Sequence, residues 1–323
     1  MYITPEKELY TIIQQFYSGK YADIAALDLD TEFDFTNILY DIEAQFYKIR
    51  AHLALADYNS ATAALSTLMH NISTNAEKNL IDAQTAELLH NDTKVLNSFI
   101  DFKKLNTIDH DLLESIDNST PSLAYIYKRI ILHEATAAGA ETLSSPELDL
   151  EAYVFSLFSS ASSSGKDVDT NKVADLKRHY SDVLILDFAA AWLGLSGATS
   201  STGANDDSNI TAKNSYYFFE ELTSSSNTDS AKNVINLLAA HLKLCNLPEA
   251  LECLEKLKSE TDIKPEWEYS LLINKIALAS TTMNSEERAQ LIQEIKQKFP
   301  TSSYVKDLEE KSQLFDTIVQ EYN

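Results

Sequence analysis

Glycine and proline are scarce, with six of each in 323 residues. That leaves little of the turn chemistry on which a β protein depends. Ala, Leu, Glu, Lys and Gln, all good helix formers, fill the periodic stretches instead. Cysteine is scarcer still. Cys245 and Cys253 are the only two. They flank one predicted turn, cannot build a disulfide framework, and suit a reducing cytosol. Positive charge is in deficit: 26 Lys and Arg stand against 49 Asp and Glu, a formal net charge of −23. Nucleic acid and anionic membranes select basic surfaces, so neither is expected as a direct partner, whereas a basic protein is compatible. A surplus of this sign also keeps many helical proteins soluble. No run of about 20 apolar residues is present, so nothing reads as a membrane span. Met1 to Lys7 lacks the apolar segment of a signal peptide. In that setting Asn71-Ile72-Ser73 matches a glycosylation pattern by chance.

Catalytic signatures are missing as well. None of the seven histidines is spaced three or four residues from another, so no helical metal site is suggested. There is no Cys-x-x-Cys and no Gly-x-Ser-x-Gly. Gly165-Lys166 lacks the upstream glycine of a phosphate loop, and Gly194-x-x-Gly197 reads only as a helix end. Asp28-Leu29-Asp30 starts like a calcium loop, but no glycine follows where one is needed. The acid pairs Glu220-Glu221, Glu286-Glu287 and Glu309-Glu310 fall on polar helix faces and read as solvated surface. No cofactor, metal or catalytic residue is expected, and the chain does not read as an enzyme.

What is present is a recurring helix-hairpin signature. Phe16-Tyr17-Ser18-Gly19-Lys20-Tyr21 is the first copy, the stretch Leu53 to Ala61 the second, and the stretch Leu242 to Leu251 the clearest. Each has apolar residues ending one helix, a tight turn, then an aromatic or Leu, with a small residue three positions on. The large residue plugs the gap between two helices, and alanine lets their backbones approach. Tyr21 and Tyr58 are 37 positions apart, close to the roughly 34 of a tetratricopeptide repeat. The pattern predicts an all-α fold, a tetratricopeptide-like α-solenoid of antiparallel helix hairpins forming a single domain over residues 1–323.

Along the chain, helices are expected at 5–17 (capped by Thr4 and Pro5), from Tyr21, at 34–56 and at 59–70. Degenerate helical segments follow over 76–118. A helix restarts at Thr120-Pro121, another is capped by Ser144-Ser145-Pro146, and further ones cover 169–180, 182–195, from 211, 230–244, 248–259, 265–280, 285–299 and 302–322. Ser159 to Lys166, a stretch of small residues, reads as a loop or linker. Residues 196–210, rich in Ser, Thr, Gly, Asn and Asp, read as a flexible insertion that cannot support a core. Tyr216 to Phe219 places four rings in a row, and no helix buries four on one stripe; a solenoid helix sandwiched between neighbours can bury more than one face, and the alternative is that one ring is exposed for a partner. Trp192, among Ala189, Ala190 and Ala191, reads as packing.

Four segments, in order, carry a family likeness. They are Phe16 to Tyr21; Phe46-Tyr47-Lys48-Ile49-Arg50-Ala51-His52-Leu53-Ala54; Leu186 to Trp192 followed by Asn214 to Leu222; and Ser303 to Tyr322. The third is the most specific, a Leu-x-x-Ala-x-Ala-Trp helix followed by a Tyr-Tyr-x-x-x-Glu helix. Over nearly the whole chain the sequence resembles the ε-subunits of coatomer, the coat of COPI vesicles. The resemblance implies a structural coat subunit that binds the C-terminal domain of the α-subunit. Through it the chain would join the β′-subunit and the rest of coatomer. It also implies Golgi-to-endoplasmic-reticulum and intra-Golgi transport, a cytoplasmic location peripheral on Golgi membranes and COPI vesicles, and membrane contact only through the coat. The alternative is a generic tetratricopeptide adaptor for another cytosolic protein or peptide. Such adaptors hold a carboxylate with several basic groups, and here the relevant helix offers only Lys48 and Arg50. A solenoid groove is lined mainly by the first helix of each hairpin, which nominates Leu9, Ile13, Phe16, Glu43, Phe46, Arg50 and Leu53 as partner-binding residues.

Overall fold

The computed structural model describes residues 7–117, 122–136, 149–164, 170–181, 183–196, 207–259 and 265–321. Among these residues there are seventeen helices and no strand. They divide into two compact units, Met1–Phe218 with Ser224–Thr228, and Phe219–Thr223 with Asp229–Asn323.

The first unit holds α1 (Lys7–Ser18), α2 (Tyr21–Ala26), α3 (Leu29–Glu32), α4 (Ile38–Ala54), α5 (Tyr58–Glu77), α6 (Ala83–Leu105), α7 (His110–Ser115), α8 (Leu123–Thr136), α9 (Leu150–Ser164), α10 (Thr170–His179) and α11 (Leu184–Ser196). Neighbours in sequence are neighbours in space, in the solenoid manner: α1 on α2 and α4, α4 on α5, α5 on α6, α6 on α8, α8 on α9, α9 on α11. A continuous apolar core runs from Ile42 to Leu193 through α4 to α11. In α1 the buried stripe is Leu9, Ile12 and Ile13, at helical spacing. The helix α12 (Asp207–Ser224) carries residues of both units.

The second unit holds α13 (Ala231–Lys243), α14 (Leu247–Ser259), α15 (Pro265–Thr281), α16 (Ser285–Lys298) and α17 (Ser303–Glu321). It has two small cores. Leu238, Ala250 and Leu257 belong to one, with Trp267 packed against it; Ile276, Ile295 and Val305 belong to the other.

The hairpin turns share one geometry. A residue with positive φ stands just past the helix end: Gly19 (84°), Ala56 (55°), Asn79 (55°), Cys245 (60°) and Met283 (54°). At each, two backbone N–H groups reach back in the same pattern, as in Cys245 N to Leu242 O at 3.1 Å and Asn246 N to His241 O at 2.9 Å. This Schellman arrangement satisfies carbonyls that a helix end would otherwise orphan. Of these five turns only the first uses glycine. At two of them the next residue caps the following helix: Asp57 accepts from Ser60 N at 3.2 Å and Asn284 from Glu287 N at 3.3 Å. The alanines expected at the close approach, Ala61 and Ala250, are fully buried.

Some expectations change. The segment beginning at Ser159 is not a loop: α9 continues through it to Ser164. Propagating a helix already nucleated and packed through Leu150, Val154 and Leu157 outweighs the weak propensity of serine. Gly194 is more than a helix end. A Cβ there would lie 2.3 Å from Ser215 Oγ and 2.7 Å from the Thr211 carbonyl. Glycine thus lets α11 and α12 touch, and Ser215 Oγ donates across to Ala191 O at 2.9 Å. The 76–118 region resolves into the long α6 and the short α7, with α5 extending to Glu77. Of the 196–210 stretch, Ser196 ends α11 and 207–210 begin α12, while 197–206 lie outside the described residues. So do the caps at Thr4-Pro5, Thr120-Pro121 and Ser144-Pro146. Of the four consecutive rings, Phe219 is buried and Tyr217 is 61% exposed. Trp192 packs edge-on to Phe158 (centroids 6.2 Å) and against Phe188 (5.5 Å).

Candidate docking groove

The first unit contains a concavity of about 410 Å³ bordered by α1, α4, α6 and the N-terminal ends of α8, α9 and α11. Its wall is apolar where Ile13, Phe46, Leu88, Leu123 and Leu184 reach it. Set among these are four carboxylates, Glu43, Asp92, Asp149 and Glu151, and one guanidinium, Arg50.

Arg50 holds the groove together. It is buried, and it grips Glu151 with both terminal nitrogens, Nη1 donating to Oε2 at 3.0 Å and Nη2 to Oε1. The pair joins α4 to α9 across 101 residues of sequence. The guanidinium also lies 4.4 Å above the Phe16 ring and 5.3 Å from that of Tyr47. Burial opposes its charge, but Glu151 more than offsets this and keeps Arg50 fully protonated. Two buried phenols, Tyr17 and Tyr47, are hydrogen-bonded to each other beside it. Burial first and Glu151 second push both far from ionising.

Two of the other carboxylates close helix ends. Asp149 Oδ1 accepts from Ala152 N at 3.0 Å at the start of α9. Asp92, on α6, reaches across to accept from Ala124 N at 2.6 Å at the start of α8. Negative groups belong at helix N-termini. Even so, burial and mutual repulsion dominate. Burial, then the neighbouring Asp149 and Glu151, push Glu43 up to about 7. Asp92 is likewise pushed up to about 7, with burial the main cause, and Asp149 to about 6, with burial first and Glu151 second. Glu43 is nevertheless exposed to solvent. Solvent therefore tempers its shift, while the upward direction follows from its like-charged neighbours. Among the described residues, no group of three or more His, Cys, Asp or Glu is arranged to hold a metal ion, and no helix is long and apolar enough to cross a membrane.

An all-helical chain with hairpin turns of one kind and a single ion-pair clasp fits many repeat proteins. The sequence itself decides: residues 5–323 match the family model for the coatomer epsilon subunit. The chain belongs to the coatomer epsilon subunit family. No curated protein matches it significantly. Family membership makes the chain a structural component of the COPI coat, which assembles from the cytosol.

Of the residues nominated from the sequence, the groove brings together Ile13, Glu43, Phe46 and Arg50. Leu9 is wholly buried, and Leu53 packs in the core of the unit. Phe16 stands behind the groove, edge-on to Tyr47 at 5.1 Å and under Arg50. Sequence reasoning missed Asp92, Asp149 and Glu151. No local pattern links them to α4, since an acidic residue on a helix reads as solvated surface until the fold turns it inward. One signal was available: Arg50 falls on the apolar face of α4 beside Phe46, Ile49 and Leu53, and a buried guanidinium demands a distant carboxylate.

Proposed function

We propose that the chain binds the C-terminal domain of the coatomer α-subunit through the groove of the first unit, as one continuous solenoid over residues 1–323. It thereby stabilises the α-subunit and, with the β′-subunit, serves Golgi-to-endoplasmic-reticulum and intra-Golgi transport. Its membrane contact runs through the coat, peripheral on the Golgi. The observation that carries the reading is the concavity itself, with apolar walls and three carboxylates beyond the Arg50–Glu151 pair, in a coatomer epsilon subunit. The adaptor alternative requires free basic groups to clamp a peptide carboxylate. Both candidates are committed elsewhere: Lys48 Nζ donates to the Leu27 carbonyl at 2.5 Å, and Arg50 is held by Glu151.

Affinity for the purified C-terminal domain of the α-subunit, measured together with melting temperature, tests this. Phe46 is 6% exposed, lines the groove and belongs to the core. Phe46→Ala is therefore expected to lose at least about 1 kcal/mol of binding and to lower the melting temperature as well. Full affinity in a folded Phe46→Ala protein would remove this face from the interface. Capture of chaperones rather than coatomer subunits from lysate would favour the adaptor.

A further inference from the structure

Glu151 has its counter-charge in Arg50; Glu43, Asp92 and Asp149 share no second cation among the described residues lining the groove. Each of the three feels the charge of at least one other carboxylate there, Glu43 that of Asp149 and Glu151, Asp92 that of Asp149, and Asp149 that of Glu151, and in each case this repulsion exceeds the opposing pull of Arg50. Asp92 and Asp149 each accept one backbone N–H, and Glu43 makes no hydrogen bond or ion pair among the described residues. Like charges gathered beside apolar walls raise the free energy of the empty groove. A complementary ligand must bring positive charge and tolerate apolar contact. Their spacing does not suit a metal ion. A cation on an aliphatic stem meets both demands, since lysine and arginine lay their methylenes on apolar surface while the head stays with polar partners.

We infer that the partner segment entering the groove inserts a lysine or arginine side chain, its charged head among Glu43, Asp92 and Asp149 and its stem along Phe46, Leu88 and Leu123. The inference rests on the groove being the docking site proposed above and adds the chemistry that it selects. It also carries a proton count. The titratable groups acting on the three carboxylates are Arg50 from α4 and Glu151 from α9, with Tyr47 beside Glu43, while Tyr17 from α1 and Tyr127 from α8 face Arg50 and Glu151. The phenols stay neutral and Arg50 stays charged near neutral pH, so the carboxylates supply the protons. A cation favours their ionised form, so binding releases protons and tightens as pH rises.

Calorimetry of the full chain with the C-terminal domain of the α-subunit, in buffers of different ionisation enthalpy between about pH 6 and pH 8, tests this. Proton release and tighter binding at the higher pH are expected. Glu43→Gln should weaken binding about tenfold, the value of one charge-assisted contact, and Glu43→Lys considerably more. Glu43 makes no internal bond, so both variants should keep the wild-type melting temperature or exceed it. Unchanged affinity in Glu43→Lys, or binding that takes up protons, overturns the inference while leaving the groove reading intact. A second arm uses capped alanine pentapeptides with a central lysine or norleucine, followed through the methyl signals of Ile13 and Leu123. The lysine peptide should shift them at concentrations where norleucine does not, and the opposite order refutes cation selection. If the α-subunit domain does not bind at all, the docking proposal fails and the peptide arm decides the cation inference alone.

Discussion

The two units use the same hairpin for different ends. The second unit is regular. The hairpin of α13 and α14 and that of α15 and α16 close through identical left-handed turns, and their small cores are almost purely aliphatic. Its ion pairs, such as Lys256–Asp229 and Lys298–Glu268, lie at the surface, where a pair contributes at most about 1 kcal/mol. The first unit is irregular, with short α3 and α7, long α6, and a charged pair buried between α4 and α9. Regularity makes a repeat easy to recognise. Departures from it open the concavity, and charge is placed there at a cost to stability. Each unit carries one tryptophan, Trp192 in the first and Trp267 in the second. Single-tryptophan variants, Trp267→Phe and Trp192→Phe, therefore report on the units separately.

The largest expected difference comes from the buried pair. Glu151→Ala leaves the Arg50 guanidinium enclosed without its partner, which should cost roughly 3 kcal/mol. Glu151 is 21% exposed at the side chain, so water entering the groove will recover part of that loss. The Trp192 signal should move to lower denaturant, and the Trp267 signal much less. Equal shifts in both would mean that the units unfold as one body and that the contrast between them is only geometric.

Close helix packing gives the next effect, and here the units should behave alike. Gly194→Ala forces a methyl against Ser215 Oγ and the Thr211 backbone in the first unit. Ala250→Leu overfills the fully buried contact between α13 and α14 in the second. Each should cost about 1–3 kcal/mol by overpacking. An unchanged midpoint for Ala250→Leu would show that the second hairpin is looser than its burial indicates.

The units should respond to pH in opposite senses. Asp92 and Asp149 rise from 3.8 unfolded to about 7 and about 6 in the folded first unit, and Glu43, exposed to solvent, moves in the same direction. The folded state thus holds more protons than the unfolded one between about pH 4 and pH 7. Their contribution is fully present below about pH 4 and is lost as pH rises through 6 to 7. His52, lowered by burial, opposes them as a single group. In the second unit His241 is lowered from 6.5, mainly by burial. It stays neutral in the fold while the unfolded chain protonates, so its contribution is present above 6.5 and is lost as pH falls. Between about pH 5.5 and 7.5 the Trp192 midpoint should fall with rising pH and the Trp267 midpoint should rise. Parallel slopes would show that the groove carboxylates are solvated as ordinary surface acids.

These contrasts also explain what the sequence discloses. The helical class, the hairpins at Gly19, Ala56 and Cys245, and the small residues Ala61 and Ala250 are all written locally, in apolar period and residue size. So is half of the groove, because Ile13, Glu43, Phe46 and Arg50 lie on the first helices of early hairpins. The other half is not local. Asp92, Asp149 and Glu151 arrive from helices whose order in space depends on how α6, α8 and α9 stack, and no short window encodes that. Serine and glycine disclose little for the same reason: Ser159 to Ser164 is helical, and Gly194, in the last turn of α11, also serves a contact.

The smallest predicted effect concerns the turns, where the units converge again. Ala56 in the first unit and Cys245 and Met283 in the second hold positive φ without being glycine. A side chain in that conformation costs roughly 1–2 kcal/mol, and glycine removes the cost while adding entropy to the unfolded chain. The two partly cancel, so Ala56→Gly, Cys245→Gly and Met283→Gly should each stabilise by no more than about 1 kcal/mol. Met283 is 88% exposed, so its variant loses least packing and isolates the backbone effect best. Cys245→Gly also removes an exposed thiol, and comparing it with Cys245→Asn separates relief of strain from loss of the side chain, since asparagine tolerates the left-handed region. Asparagine already occupies the same place at Asn79. If glycine and asparagine at 245 both leave the Trp267 midpoint where it was, the turn is held by its two backbone hydrogen bonds alone. Gly19 would then have no conformational advantage over the residues that replace it in the later repeats.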